Sequence, residues 1–170
     1  MNGALELALP GERFEPSYLE AQRELLAEGK RPEELVSAET FPALLRRLSD
    51  WRANVVPPGK VGATTFWLVE GETYLGRISI RHDLTESLRV IGGHIGYEIR
   101  RSRRGQGLGG QMLAMALPYA YALGIDPAML TCDAANIASW RMIERCGGTR
   151  DAEYVHEGVT RLRYWIPTGP

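Results

Sequence analysis

The sequence predicts an α+β domain with a mixed, mostly antiparallel central sheet flanked by helices. Three observations lead there. The middle of the chain, "ATTFWLVEG" and "TYLGRISIRH", is dense in β-branched and aromatic residues, and "EGET" joins the two stretches in hairpin fashion. Segments before and after it space their apolar residues three and four apart, the period of a helix. The chain then closes on "AEYVHEGVTRLRYWI", a second hairpin with its turn at Glu157–Gly158.

Taken in order, "LELALP" (residues 5–10) reads as a short first strand. A helix follows in "EPSYLEAQRELLAEG", where Tyr18, Ala21, Leu25 and Leu26 share a face and Gly29 can end it. Thr40 is positioned to cap a second helix whose apolar face is Phe41, Leu44, Leu45, Leu48 and Trp51. "NVVPPGKVG" breaks both periods and is a loop. After the first hairpin, "SLRVIGGHIGYEIR" is expected to be another strand, irregular at Gly92, Gly93 and Gly96. A helix then runs to about Leu123, with Pro118 expected to kink it or tighten its last turn. "AMLTCD" is a short buried strand. "NIASWRMIERCGG" is a helix with Gly147 or Gly148 as its C-terminal cap. No repeat, low-complexity tract or linker divides residues 1–170, which read as a single domain.

The 170 residues suffice for one domain with a real core. A net charge of −1 gives no global pull toward nucleic acid or anionic membrane. No apolar run approaches a membrane span, and the first residues lack the basic start and apolar core of a signal peptide. Cys132 and Cys146 are not in a metal or redox spacing, which suits reduced thiols in the cytoplasm. His82, His94 and His156 are scattered, so no metal site is expected.

Against this neutral background, "EIRRSRRGQGLGGQML" stands out. Arg100, Arg101, Arg103 and Arg104 precede Gly105, Gly107, Gly109 and Gly110, and a helix begins at once. The first turn of a helix leaves N–H groups without internal partners and is the positive end of its dipole. Glycines let an anion approach those groups, and arginines add charge, so the segment reads as a pyrophosphate cradle. The alternative is a basic loop ending in a helix cap. A Walker A pattern is absent. The dinucleotide pattern G-x-G-x-x-G is literally present at Gly105, Gly107 and Gly110, with Asp133 where a ribose-binding acid would stand. Three features argue against it. Five polar residues separate the strand from the glycines, too little chain follows Asp133 to finish a doubly wound sheet, and the preceding region reads as antiparallel hairpins.

Arg104, Gly107 and Gly109 resemble the Arg/Gln-x-x-Gly-x-Gly/Ala signature of the GNAT superfamily of acyltransferases. "NIASWRMIERCGG" resembles that family's Asn-led helix, and the order of elements agrees over nearly the whole chain. The resemblance implies a sheet splayed at the strand that enters the cradle, with acetyl-CoA as acyl donor. Backbone N–H groups from Arg104 through Gly105, Gln106, Gly107, Leu108 and Gly109 would hold the pyrophosphate. Ile99 and Arg100 would border the pantetheine arm, a backbone N–H near Ile99 would polarise the thioester carbonyl, and Asn136 would lie near the donor. The family's usual tyrosine, seven residues after that Asn, is here Ile143, so the usual general acid is missing.

Acylating an amine needs a base or a water relay. Glu98 lies in the strand entering the cradle; the competing role is an exposed strand carboxylate paired with an arginine. Strand alternation puts His94 on the same face as Glu98. Asp133 reads as a cap for the following helix, Glu72 as part of a solvated turn, and Trp140 and Trp165 as core. Residues 1–50 hold ten acids against six bases, which mildly favours a cationic acceptor; a solvated acidic helix surface explains the row Glu20, Glu24, Glu28 equally well. The expected function is N-acetylation of a primary amine, on a small molecule or a peptide, by direct attack. The alternative is a silent acyl-CoA-binding sensor or scaffold. A homodimer is compatible with such a domain, though no patch demands one.

Overall fold

The computed structural model describes residues 3–30, 32 and 35–170. Its elements follow the expected order. β1 is Leu5–Ala8, α1 Glu15–Ala27, α2 Phe41–Arg52, β2 Ala63–Glu70 and β3 Thr73–Arg81. Then come α3 Glu86–Val90, β4 Ile95–Ile99, α4 Leu108–Ala122, β5 Ala128–Asp133, α5 Ile137–Arg145, β6 Thr149–His156 and β7 Val159–Ile166. The strands form two antiparallel sheets, ordered β1-β2-β3-β4 and β5-β7-β6.

Helices cover both faces of the first sheet, which explains why β2 does not alternate: Ala63 through Val69 are all buried. One face of β2 and β3, with Phe66, Leu68, Leu75, Ile78 and Ile80, packs on Leu108, Met112, Leu113 and Ala116 of α4 and on Ile143 of α5. The opposite face, with Trp67, Val69 and Tyr74, packs on Phe14, Val36 and on Phe41 and Leu44 of α2. Tyr18 of α1 stacks on Trp67 with ring centroids 4.9 Å apart. Each fully buried Leu or Ile here contributes about 2 kcal/mol of transfer free energy. β3 alternates instead. Ile78 and Ile80 face the core, while Arg77, Ser79 and Arg81 face the space under α1 and α2.

Several local expectations are corrected. "SLRVI" is not strand: Thr85 accepts a bond from Leu88 N–H at 3.2 Å and starts the short helix α3. A side-chain cap outbids β propensity in so short a segment. Thr40 occupies the residue before α2 but does not cap it; its hydroxyl turns back to accept Ser37 N–H at 2.9 Å. Asp133 does not cap α5. Its carboxylate pairs with Arg161, and Asn136 takes the cap through Ser139 N–H at 3.2 Å. α4 runs through Pro118 and tightens at its end, where Leu123 N–H bonds both Tyr119 and Ala120 carbonyls at 3.1 Å.

Among the described residues one β-bridge joins the backbones of the two sheets. Gly93 bridges Leu130, His94 N–H donates to Met129 O at 2.7 Å, and Met129 N–H donates back to His94 Nδ1 at 2.9 Å. A Cβ on Gly93 would lie 2.4 Å from Met129 O, so glycine is required for the approach. Beyond this junction, no ladder joins β4 to β5 among the described residues. The sheet is split where β4 heads for the glycine-rich turn.

Candidate active site

β4 presents two different edges. Arg81 N–H bonds His94 O at 2.7 Å and Arg100 N–H bonds Leu75 O at 2.8 Å, which fixes the ladder with β3. Antiparallel alternation then turns the N–H groups of Tyr97 and Ile99 away from β3, toward the gap between the sheets. The Ile99 side chain packs into the core. Arg100 is different. Its N–H is committed to β3 and its side chain, 7% exposed, is buried against α1, so it does not border the gap as expected.

Past β4 the chain makes a 3-10 turn, Arg101–Arg103, and reaches the glycines. Gly105 and Gly107 have φ of +76° and +74°, and a Cβ on either would meet nothing within 4 Å. Gly107 is the residue before α4, so these two open positions lie at the N-terminus of that 15-residue helix. A turn of left-handed glycines at a helix N-terminus suits the pyrophosphate of a CoA donor. One expected contributor, Arg104, has its N–H engaged elsewhere, and Gly109 has a packing role as well. Arg104 N–H closes the 3-10 turn on Arg101 O at 3.2 Å and is committed there. Gly109 serves packing, because a Cβ there would sit 2.8 Å from Met142 Sδ of α5. Leu108 buries its side chain and offers only backbone, while Gln106 is exposed.

Three of the four arginines, Arg100, Arg103 and Arg104, are taken up by carboxylates. Glu24 of α1 accepts Arg100 Nε at 2.8 Å and Nη2 at 2.6 Å, and Ser102 N–H and Oγ at 3.1 and 3.0 Å. Glu20 also reaches Arg100, at 2.6 Å. Glu28 holds Arg104 at 2.9 and 3.0 Å, and Glu70 holds Arg103 at 3.1 Å. Burial alone would raise the Glu24 carboxyl; the bonds from Arg100 and Ser102 outweigh it and hold it below the usual range. The acidic row along α1 therefore latches the loop, with Glu20 still 59% exposed. Sequence spacing shows the row and the arginines, but not that they meet 76 residues apart.

On the α1–α2 side lies a cavity of about 400 Å³. Its walls include Tyr18, Trp51, Trp67 and Tyr74, and its polar lining includes Arg47, Arg77, Ser79, Arg81 and Glu98. Glu98 stands opposite Arg77 in the ladder, with carboxylate and guanidinium 3.7 Å apart. His94 is not beside it. Its Nδ1 is the acceptor for Met129 N–H at the sheet junction, and burial lowers its pKa, so it is a structural neutral imidazole.

Across the gap, the Tyr97 hydroxyl bonds Ser139 Oγ on the first turn of α5. Burial pushes the Tyr97 phenol up to about 12, which keeps its proton in place. Sequence reading missed this pair; the signal was Ser139 three residues after Asn136, on the face that α5 turns to β4. Ile143 is fully buried and apolar. Glu72 is exposed in the β2–β3 turn, and Trp140 packs on the core. Among the described residues no cluster of His, Cys, Asp and Glu is arranged to hold a metal, and no helix is long and apolar enough to cross a membrane.

A family model described as an acetyltransferase (GNAT) domain matches residues 21–149. No curated protein matches the sequence. Solved structures that share the fold include Mycobacterium smegmatis RimJ in complex with CoA-disulfide, at TM-score 0.73 and 16% identity, covering 97% of this chain and 82% of that one. RimL, a ribosomal L7/L12 alpha-N-protein acetyltransferase in complex with coenzyme A, gives TM-score 0.68 and 19% identity over 97% and 96% of the two chains. The microcin C7 self-immunity acetyltransferase MccE, in complex with acetyl-CoA and AMP, gives 0.69 and 13% over 96% and 92%. The chain belongs to the GNAT acetyltransferase family.

Proposed function

We propose that this GNAT acetyltransferase is a cytoplasmic enzyme, acting as one domain over residues 1–170, that moves the acetyl group of acetyl-CoA to a primary amine. The observation that carries this reading is the open, left-handed glycine turn at the start of α4, set at the end of a split sheet with a cavity holding Glu98 beside it. The N–H groups from Gly105 to Gly109 bind the pyrophosphate. The arm lies along the free edge of β4, and Ile99 N–H donates to the thioester oxygen as negative charge develops there. Asn136 holds the first turn of α5 against the same gap.

Glu98 takes a proton from the acceptor ammonium, directly or through water, and the neutral nitrogen attacks the thioester carbonyl. The new C–N bond forms and the C–S bond breaks; the nitrogen releases its second proton to water as it becomes the amide, and the leaving thiolate needs a proton. With Ile143 at the family's usual acid position, the hydroxyl pair Tyr97–Ser139 is the donor within the gap. The protein contributes chiefly positioning and carbonyl polarisation.

The deciding experiment is a calorimetric titration with acetyl-CoA, with NADH in parallel, followed by thiol release from acetyl-CoA with an amine panel. Saturable acetyl-CoA binding and thiol release are the expected result. Binding without release for every amine would make the chain a silent acyl-CoA sensor, the reading that the buried Ile143 favours. NADH binding in place of acetyl-CoA would remove both.

A further inference from the structure

We propose that the Arg104 side chain works in two positions. In the free protein its guanidinium is parked on Glu28 and on the carbonyl of Ile99, closing the end of the β4 edge. Acetyl-CoA draws it off, and it then holds the donor's pyrophosphate. Glu28 is thereby a positioning residue that sets donor affinity through Arg104. This deepens, and rests on, the acetyltransferase reading.

Three bonds define the parked position. Arg104 Nη1 donates to both Glu28 oxygens, at 2.9 and 3.0 Å, and Nε donates to Ile99 O at 3.1 Å. Ile99 stands opposite Gly76 in the ladder, and the next pair along is the bonded one, Arg100 N–H to Leu75 O at 2.8 Å. Alternation therefore turns both the N–H and the carbonyl of Ile99 away from β3, toward the gap. That carbonyl is the last one β4 offers on its free edge. An arm that pairs along the edge through its amide N–H groups needs it. Arg104 occupies it.

The pairs made by Arg100 and Arg104 differ in kind. Arg100 is 7% exposed and is held by Glu20, Glu24 and Ser17, so it is a fixed part of the loop. Arg104 is 36% exposed and Glu28 23%. A carboxylate pair that meets solvent is worth little and is cheap to give up. Lys30 Nζ lies 3.6 Å from Glu28 and keeps a cation beside it when Arg104 leaves. Arg104 also directly precedes Gly105, the first of the two left-handed glycines, so its backbone already stands at the cradle. A pyrophosphate carries more charge than a carboxylate and offers the guanidinium fork several oxygens. That difference in interaction is what shifts the side chain. The same move uncovers Ile99 O for the arm, so one side chain couples the arrival of the phosphates to the opening of the edge.

The test is calorimetric titration of acetyl-CoA into the wild type, Glu28→Gln, Arg104→Gln and the double variant. Glu28→Gln releases the guanidinium and should bind acetyl-CoA about threefold tighter. A gain of affinity is not something a damaged fold produces. Arg104→Gln should bind about tenfold more weakly. In the double variant Glu28→Gln should add nothing, because Glu28 acts only through Arg104. Pantetheine carries the arm without the pyrophosphate; its dissociation constant, read by competition with acetyl-CoA, should be lower in Arg104→Gln than in the wild type. Unchanged or weaker acetyl-CoA binding in Glu28→Gln overturns the proposal, as does a gain that persists in the double variant, or pantetheine bound no better by Arg104→Gln. A wild type that does not bind acetyl-CoA would overturn the acetyltransferase reading itself; wild-type binding without these shifts would overturn this inference alone.

Discussion

Glu98 has two partners to serve. It balances Arg77 in the ladder and faces the cavity where an amine would arrive. Glu98→Gln keeps the shape and removes the basicity. Turnover at neutral pH should fall about 100-fold while acetyl-CoA affinity stays within about twofold; wild-type turnover across the pH range would remove Glu98 as the base. Ser139→Ala withdraws the partner of the Tyr97 hydroxyl inside the gap. Its kcat should fall about tenfold with acetyl-CoA binding retained, and an unchanged kcat would leave thiolate release unassisted. Gly107 sits at φ +74° above open space. Gly107→Val forces a branched residue into a left-handed conformation and fills the proposed phosphate path. Acetyl-CoA affinity should drop at least tenfold, about 1.4 kcal/mol, and an unchanged calorimetric titration would refute the cradle.

At the scale of elements, the latch between α1 and the loop after β4 is the structural answer to a cluster of arginines in a near-neutral protein. Glu24 receives four bonds from Arg100 and Ser102 and so sets the 3-10 turn that delivers the chain to Gly105. Glu24→Gln should cost about 2 kcal/mol of stability, the worth of charged hydrogen bonds. It should also raise the acetyl-CoA KM several-fold with a smaller change in kcat; equal effects on both would make the latch merely structural. The elements themselves were legible because their periods are strong. The α2 face Phe41, Leu44, Leu45, Leu48 and the hairpin signals at Gly71 and Gly158 needed no tertiary information. Segment 87–91 was not legible as helix. Its five residues are too few to show a period, and one hydroxyl cap decided the outcome.

Across the whole molecule, the junction at Gly93 and His94 holds the two sheets together before they part. Burial, with Arg89 nearby, lowers the pKa of His94 below the ordinary histidine value, against a small opposing effect of Asp83. The unfolded chain then binds the proton more readily than the folded one. Stability is full above the ordinary histidine value, about 6.5, and declines as pH falls below it. His82, bonded to Thr64 at 2.9 Å and Asn54 at 2.8 Å and likewise lowered by burial, adds in the same direction. Melting temperature should therefore drop between pH 7 and 5.5, and His94→Gln should flatten that slope. A slope unchanged in the variant would exclude His94 as the source.

The sequence by itself determined the element order, the glycine turn that begins α4 and the loss of the usual tyrosine at Ile143. These are local matters of period, dihedral freedom and residue identity. Only the tertiary structure decided where the charges go. It turned the acids of α1 onto the arginine loop, pinned His94 to β5, brought Tyr97 to Ser139 across the gap, and left Arg77 beside Glu98 in the cavity. A charged side chain takes its meaning from its partner, and these partners lie tens of residues away, on elements that meet only when the sheet is packed.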